Sequence, residues 1–345
     1  PASIQTHVYA TSGISASSGT TTYNTGGDAV QIDSGLLLAG FTGSNSISSA
    51  RVMIQNKQVG DILSFTSQNG ITGNYNSSTG ILTLSGSATQ EQYQTALRTI
   101  TFSTTSSSLT NRAIDFMIGS GLYCTATGHF YEYISVGNSI TWDAAVTAAS
   151  NSALYGRKGY LVTITSEEEN KFVKDKTLGL GWIGAKDVNY SQSNPWPYST
   201  GDWRWVTGPE GLSDSGKGAK FYNGFWANGA YHDDIGTRTV VNGEYANWAS
   251  GEPNNYNNDE YVAHIYGPGS NHGLWNDYNP TNGSATGYIV EYGGMEENPM
   301  TIQASKTIQL YDTKPPQVSN KNLTASGVTG DTVVLSWNQG SDDVK

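Results

Sequence analysis

The stretch from Gly251 to Asp277 reads GEPNNYNNDEYVAHIYGPGSNHGLWND and carries an acid and an amide at each end. Glu252-Pro253-Asn254 opens it and Trp275-Asn276-Asp277 closes it, with a further acid, Asp259, between them. A loop whose two ends meet would bring three carboxylates and two amide oxygens together. Five oxygen side chains without a thiol or imidazole suit Ca²⁺, which accepts six to eight oxygens in flexible geometry. The predicted calcium ligands are Glu252, Asn254, Asp259, Asn276 and Asp277.

The same residues resemble the C-type lectin-like domain, and within it the mannose-type sugar-binding class. That class has a Glu-Pro-Asn triplet, an acid a few residues later, and Trp-Asn-Asp before the last strand. Further marks of the family occur in order between about residues 125 and 294, which is roughly half the chain. These marks are Trp182-Ile183-Gly184, the run WRWVTG at 203–208, Tyr245-Ala246-Asn247-Trp248, and GYIVEY at 287–292.

The resemblance implies an α+β domain with two helices, an irregular β-sheet and long loops. It also implies a cis peptide bond before Pro253, the type of bond for which the cis form is least costly. With the ion held, two adjacent sugar hydroxyls would complete its shell, donate to Glu252 or Asp259, and accept from Asn254 or Asn276. In this family the Glu-Pro-Asn order favours mannose, glucose, N-acetylglucosamine or fucose over galactose.

The middle acid of the site has two candidates. The spacing from Glu252 is slightly short for the family pattern, and alignment on Tyr261-Val262 assigns the role to Asp259, with Glu260 as the alternative. Three residues flank the site and are candidates for sugar selectivity: Tyr256, Asn257 and His272. The five histidines are dispersed without ligand spacing, so we interpret them as surface or structural residues.

An accessory calcium site remains open as a second possibility. Asp187, Asn255 and one of Asp259 or Glu260 fall where the family often holds another ion, although an insertion after Asp187 removes any clear partner. Many members of the family are held together by disulfides. Cys124 is the only cysteine of this chain, so packing must replace them.

Composition narrows the class of protein. A length of 345 residues predicts two or three domains, and the abundance of Gly, Ser, Thr and Asn beside 14% charged residues is typical of β-rich proteins. The net charge of −11 argues against nucleic acid and against an anionic membrane surface as partners. No stretch is long and apolar enough to span a bilayer, so we expect no direct membrane insertion.

The chain is expected to consist of three parts. Alternating strands in 1–123 resemble the cadherin-like immunoglobulin sandwiches of bacterial surface proteins. The last strand that such a sandwich needs does not follow directly in this chain, and a suitable segment appears only from Thr301. We therefore predict a split β-sandwich of 1–123 plus 299–313, with the lectin-like domain inserted as 124–294. Residues 314–345 are interpreted as a linker and the start of a truncated fibronectin type III-like domain. The whole resembles a fragment of an RTX-type surface adhesin.

Three helices are predicted from capping residues. Thr89 precedes a helix over 90–97, and Thr141 precedes one over 142–149. Ser166 with Glu169 forms a capping-box pattern for the third. The Gly- and Asn-rich segment 208–243 is expected to be an extended ordered loop. The tryptophans of the family marks are expected in the core.

Three classes of function follow. The first is calcium-dependent carbohydrate binding by a monomeric module of a larger secreted bacterial adhesin, with cell-surface glycans as partners. The second is a protein-binding or structural lectin-like module in which calcium only orders the long loop. The third is a glycosidase that uses Glu252 and Asp277 as paired carboxylates. Carboxylates bound to calcium do not serve as free acid and nucleophile, so we expect no enzyme.

Overall fold

The computed structural model describes residues 13–41, 47–177, 179–190, 201–224, 226–227, 230–231, 239–281, 285–295, 299–312, 324–329 and 332–336. The chain divides into two compact units. Unit 1 comprises Pro1–Phe116 with Gln303–Lys345, and unit 2 comprises Met117–Ile302. Both are built mainly from β-strands with few helices.

The elements from the N-terminus to residue 154 are β1 (Gly13–Ser15), β2 (Thr21–Asn24), β3 (Val30–Gln31), β4 (Leu37–Ala39), β5 (Ile47–Ile54), β6 (Asp61–Ser64), β7 (Thr72–Asn76), β8 (Ile81–Ala88), α1 (Gln90–Arg98), β9 (Thr101–Thr104), β10 (Arg112–Ile118), β11 (Leu122–Tyr123), β12 (Phe130–Ser135), α2 (Trp142–Ser150) and β13 (Ala153–Leu154). The remaining elements are β14 (Arg157–Leu161), α3 (Glu167–Thr177), β15 (Gly181–Asp187), β16 (Asp202–Trp205), α4 (Gly208–Gly211), β17 (Ala219–Asn223), β18 (Trp226–Ala227), β19 (Ala230–Tyr231), β20 (Thr239–Val240), β21 (Val262–Ile265), β22 (Trp275–Tyr278), β23 (Gly287–Tyr292), β24 (Gln303–Tyr311), β25 (Thr324–Thr329) and β26 (Thr332–Ser336).

Unit 1 is built on a six-stranded sheet of order β2-β24-β10-β5-β8-β7 and a three-stranded sheet of order β3-β9-β6. The chain returns to this unit through β24, which lies between β2 and β10 and runs parallel to β2. Tyr23 of β2 meets Phe102 of β9 edge to face at a centroid distance of 5.5 Å, so side chains of the two sheets share one core. The cadherin-like classification of this unit stays a prediction.

A buried ion pair lies in the core of unit 1. Arg112 Nε of β10 is 2.7 Å from Asp61 Oδ2 of β6, and both side chains are fully buried. The guanidinium also donates to the carbonyl oxygens of Thr110 and Ser108. Arg112 therefore pairs with one oxygen of a buried carboxylate and with two backbone acceptors at once.

Unit 2 contains a sheet that runs β11-β12-β23-β15-β16-β17-β20. β12 and β23, which come early and late in the unit along the chain, pair antiparallel from Phe130↔Tyr292 to Ser135↔Gly287. β21 pairs with both β15 and β22, which places the β21–β22 hairpin beside the sheet. The segment 208–243, expected as a loop, carries α4 and four short strands, because β17 pairs with β16 and with β20.

The three predicted helices are confirmed. Thr89 accepts the Gln92 N–H and caps α1, and Thr141 accepts the Ala144 N–H and caps α2. Ser166 accepts the Glu169 N–H at the start of α3. The Glu169 carboxylate does not complete a capping box, because its Oε2 accepts from Thr165 N at 2.7 Å. The other carboxylate oxygen, Glu169 Oε1, accepts a hydrogen bond in the core from the Tyr131 hydroxyl.

Two glutamates share a buried polar cluster in unit 2. The Tyr131 hydroxyl donates to Glu169 Oε1 at 2.7 Å and lies 3.2 Å from Glu291 Oε1. His129 Nδ1 is 2.6 Å from the same Glu291 oxygen, and Thr163 N donates to the other at 3.0 Å. The cluster joins β12, β23 and α3, the elements that frame one end of the sheet.

This cluster predicts a pH dependence of stability. Burial, then the charge of Glu291, raises the pKa of Glu169 above its ordinary 4.5, and the hydrogen bond with Glu291 raises the pKa of His129 above 6.5. Both groups bind protons more tightly in the folded state, so their stabilisation is complete below those ordinary values and is lost as the pH rises through the folded ones. We therefore expect the thermal midpoint of unit 2 to decrease as the pH is raised from about 5 to about 8. The midpoint is measured in chelator by tryptophan fluorescence.

The matched variant is Glu169→Gln, which cannot titrate at this position. Its midpoint should fall less steeply over the same pH range. Equal slopes in the two proteins would contradict the assignment to this cluster.

Four of the five predicted core tryptophans are buried, and the fifth, Trp248, is half-buried. Trp182, Trp203, Trp205 and Trp275 are each at most 1% exposed, and Trp205 stacks on Phe221 at 4.6 Å. Trp275 Nε1 donates to Asn170 Oδ1 at 2.8 Å, which anchors β22 to α3. Within the described residues, no helix has the length and apolar character needed to cross a membrane.

Candidate metal centre

The β21–β22 hairpin positions one end of the candidate site. Its register pairs Ala263 with Asp277 and His264 with Asn276. The incoming chain is held alongside β22, because Trp275 N donates to Asn247 O and Ala249 N donates to Trp275 O, each at 2.8 Å. These bonds bring the segment that follows residue 249 next to the end of the hairpin.

Asp277 joins the two ends of the loop, as the sequence predicted. Its side chain is fully buried, and its carboxylate oxygens accept the backbone N–H groups of Asn254 at 2.9 Å and Asn255 at 2.7 Å. The carboxyl group of Glu252 hydrogen-bonds to it as well. The Glu252–Pro253 peptide bond is cis, as expected. Glu252, Asn254 and Asp277 therefore belong to one cluster.

Glu260 contributes the third carboxyl group. Its Oε2 accepts the Tyr256 N–H at 3.0 Å, and its own N–H donates to Asn255 Oδ1 at 3.1 Å. Burial first, and then the charges of Asp277, Glu252 and Asp259, raises the pKa of Glu260 to about 8. Burial likewise raises the pKa of Asp277. Such raised values are expected where carboxylates gather without a compensating cation.

Asp259 has other partners. Its Oδ2 accepts a hydrogen bond from Asn279 Nδ2 at 2.6 Å, and its charge acts on the hydroxyls of Tyr190 and Tyr261. The structure thus brings Glu260, the sequence's alternative, to the cluster of Glu252, Asn254 and Asp277, whereas the side-chain hydrogen bond of Asp259 goes to Asn279.

Two amide oxygens remain unused in this cluster. Asn254 Oδ1 and Asn276 Oδ1 are buried and find no hydrogen-bond donor among the described residues. A buried acceptor left without a partner costs about 1–3 kcal/mol. A bound cation would remove that cost and would also offset the gathered carboxylates, so the residues present fit a hard cation. Acids, histidines and the cysteine alone form no metal-holding group of three in the described part of the chain. The amide oxygens are therefore needed members of the set.

His264 lies behind Asn276 and was interpreted from sequence as surface or structural. It is 4% exposed, and its Nε2 is 3.4 Å from Asn276 Nδ2. Burial lowers its pKa to about 4, so the ring is neutral at pH 7. The signal in the sequence was its position two residues into β21, on the strand that pairs with Asn276.

The three selectivity candidates differ in exposure. Tyr256 is 66% exposed in the turn that follows Asn254, and Asn257 is also exposed. His272 is half-buried, and its N–H donates to Gly269 O within the β21–β22 connection. Tyr256, next to the acids, is thus open to a ligand bound at the cluster.

The accessory-site residues do not share one set of partners. The Asp187 carboxylate accepts three backbone N–H groups, from Asn189, Gly201 and Asp202, at 2.6–3.1 Å. Asn255 and Glu260 bond to each other instead. Burial raises the pKa of Asp187 to about 6. The contacts of Asp187 are those of a residue that closes the connection between β15 and β16.

Comparisons with known proteins give the following findings. No family model matches the chain. It is 36% identical over 275 residues to halomucin of Haloquadratum walsbyi, a match that covers 76% of this chain. The chain spans 3% of the length of that relative.

Two solved structures are similar over 50% of this chain. One is an EPNH mutant of CEL-I, which is 20% identical to this chain, and the match covers 94% of its length. The other is a calcium-independent type II antifreeze protein, which is 15% identical, and the match covers 91% of its length. Both neighbours have a C-type lectin-like fold. The TM-score is 0.30 in each case.

Proposed function

We propose that unit 2 is a calcium-dependent carbohydrate-binding module whose site is formed by Glu252, Asn254, Glu260, Asn276 and Asp277. The observation that carries this proposal is the pair of buried amide oxygens without donors, beside three carboxyl groups gathered around the 254–255 backbone. That donor set consists of oxygen alone, the preference of Ca²⁺.

When bound, calcium would accept lone pairs from two adjacent sugar hydroxyls. The protein's own groups would then fix the orientation of the sugar. Glu252 and Glu260 accept hydrogen bonds from the hydroxyl groups, while the side-chain N–H groups of Asn254 and Asn276 donate to the hydroxyl oxygens. Vicinal hydroxyls of mannose, fucose, glucose or N-acetylglucosamine type are the proposed ligands.

We place this module outside the cell, as one monomeric part of a longer surface protein that contacts glycans. Calcium sites of extracellular modules have dissociation constants of about 10⁻⁴–10⁻³ M, which suits a calcium-rich exterior. Many copies on one cell would raise weak single-site binding through avidity.

The test is a glycan array probed with the full chain in millimolar calcium, in millimolar magnesium and in chelator. We expect binding to mannose- or fucose-type glycans in calcium alone. Binding that persists in chelator, or that never appears, contradicts the proposal. Release of free sugar from any bound glycoside would support an enzyme instead.

Asn254→Asp should abolish glycan binding on that array while far-UV circular dichroism shows that the protein remains folded. The substitution keeps an oxygen for the cation but removes the N–H donor that orients a hydroxyl. Asn242→Asp, an equally small change at an exposed position of unit 2 outside the 251–277 stretch, is the matched control and should bind glycans like the parent. Normal binding by Asn254→Asp would show that the site is elsewhere.

A second candidate function has support in the same loop. The carboxylates of Asp277 and Glu260 already accept the backbone N–H groups of residues 254, 255 and 256. An ion there could serve only to order the loop of a protein-binding or structural module. Calcium binding by calorimetry without any glycan binding would favour this alternative.

A further inference from the structure

The side chain of Asn276 has two orientations that differ by exchange of its oxygen and nitrogen. Only the orientation that leaves Oδ1 free provides a ligand for a cation, because the Nδ2 group is a donor. Strand pairing within the hairpin places Asn276 but does not select between the two. A side chain beside the amide must make that choice.

His264 is that side chain. It faces Asn276 in the register of the hairpin, and its Nε2 lies 3.4 Å from Asn276 Nδ2. Asn276 Oδ1 is buried and has no donor among the described residues. The amide therefore turns its nitrogen to the imidazole and its oxygen away from it.

Aromatic rings hold the imidazole in place. Tyr266, Tyr278 and Trp182 surround it edge to face, with centroids at 4.8, 5.4 and 6.2 Å and interplanar angles of 75–84°. The Tyr266 hydroxyl interacts electrostatically with Glu252, Glu260 and Asp277. The packed rings therefore lie beside the candidate metal centre. The imidazole also interacts with the backbone of Ile265, and its Nδ1 has no closer partner among the described residues. A proton on Nδ1 leaves Nε2, the nitrogen that faces Asn276, as the acceptor.

We infer that His264 is a positioning residue: its Nε2 accepts one N–H of Asn276 and thereby holds Oδ1 free for the cation. The second N–H of the same amide remains for a sugar hydroxyl. This inference rests on the proposed function, and it adds a residue that acts on the site through Asn276. The opposite tautomer would donate to Oδ1 and turn the amide nitrogen toward the cation.

The experiment measures calcium affinity by calorimetry for the full chain and two variants. His264→Leu removes the acceptor but suits the apolar surroundings, and we expect it to weaken calcium binding about tenfold, the loss of one neutral hydrogen bond. His264→Gln places an acceptor near the position of Nε2 and should stay within about threefold of the parent. Thermal midpoints in chelator should be similar for all three proteins, which separates positioning from loss of the fold.

A second measurement reads the contact directly. In protein labelled with ¹⁵N at histidine, long-range ¹H–¹⁵N spectra in chelator and in calcium should show His264 Nε2 without a proton and Nδ1 with one. A protonated Nε2 in calcium, or parent-like affinity in a well-folded His264→Leu, overturns the inference alone. Absence of calcium binding by the parent protein overturns the proposed function, and the inference with it.

Discussion

Replacing Glu260 with glutamine is expected to weaken calcium binding by roughly 100-fold or more, because ligand charge sets the affinity of calcium sites. Asp259→Asn is the matched control, with the same loss of one charge at the neighbouring residue. It should bind calcium within about threefold of the parent, since Asp259 bonds to Asn279 rather than to the cluster. Calorimetry on the three proteins provides the comparison.

Thermal midpoints show whether Glu260→Gln binds calcium weakly because it has lost a ligand or because it is unfolded. In chelator, its thermal midpoint should equal or exceed that of the parent, because a buried carboxylate beside Asp277 has been neutralised. Its amide oxygen can still accept the Tyr256 N–H. If Asp259→Asn loses calcium and Glu260→Gln retains it, the middle ligand assigned from the structure is wrong.

Arg112→Met is expected to destabilise unit 1 by about 3–5 kcal/mol, the cost of leaving a buried charge without its partner. Asp61 is fully buried in the pair and would lose its guanidinium, as would the carbonyls of Thr110 and Ser108. Urea unfolding followed by far-UV circular dichroism measures the free energy of unfolding. Eight of the nine tryptophans lie between Trp142 and Trp275, so fluorescence reports chiefly on unit 2 and should change little.

The double variant Arg112→Met/Asp61→Leu is the control for this prediction. Removing both charges should restore part of the lost stability, because apolar side chains often replace a buried pair at little cost. Recovery is expected to be incomplete, since two backbone carbonyls still lack the guanidinium. A double variant less stable than the single one would show that Asp61 acts by more than its charge.

Local chemistry made several features predictable. Thr89 and Thr141 cap their helices where the sequence placed them, because a cap involves only atoms three residues apart. The two acid-and-amide ends of the loop do meet, at Asp277. The residue types alone predicted a hard cation, and this stays a prediction. By contrast, the short strands of 208–243 were missed. The pairs of β17 with β16 and with β20 join separate segments of the chain and leave no local signal in the sequence.

The sequence by itself determined the kinds of groups at the candidate site, the helix starts and four of the five tryptophans expected in the core, since each follows from composition or from near neighbours. Only the tertiary structure decided that Glu260 and not Asp259 faces Asp277, that His264 meets Asn276, and that Glu169 is drawn toward Tyr131 instead of closing its capping box. The physical reason is that these contacts depend on strand register and loop closure. Both are set by pairing between residues distant along the chain, and that pairing decides which side chains meet.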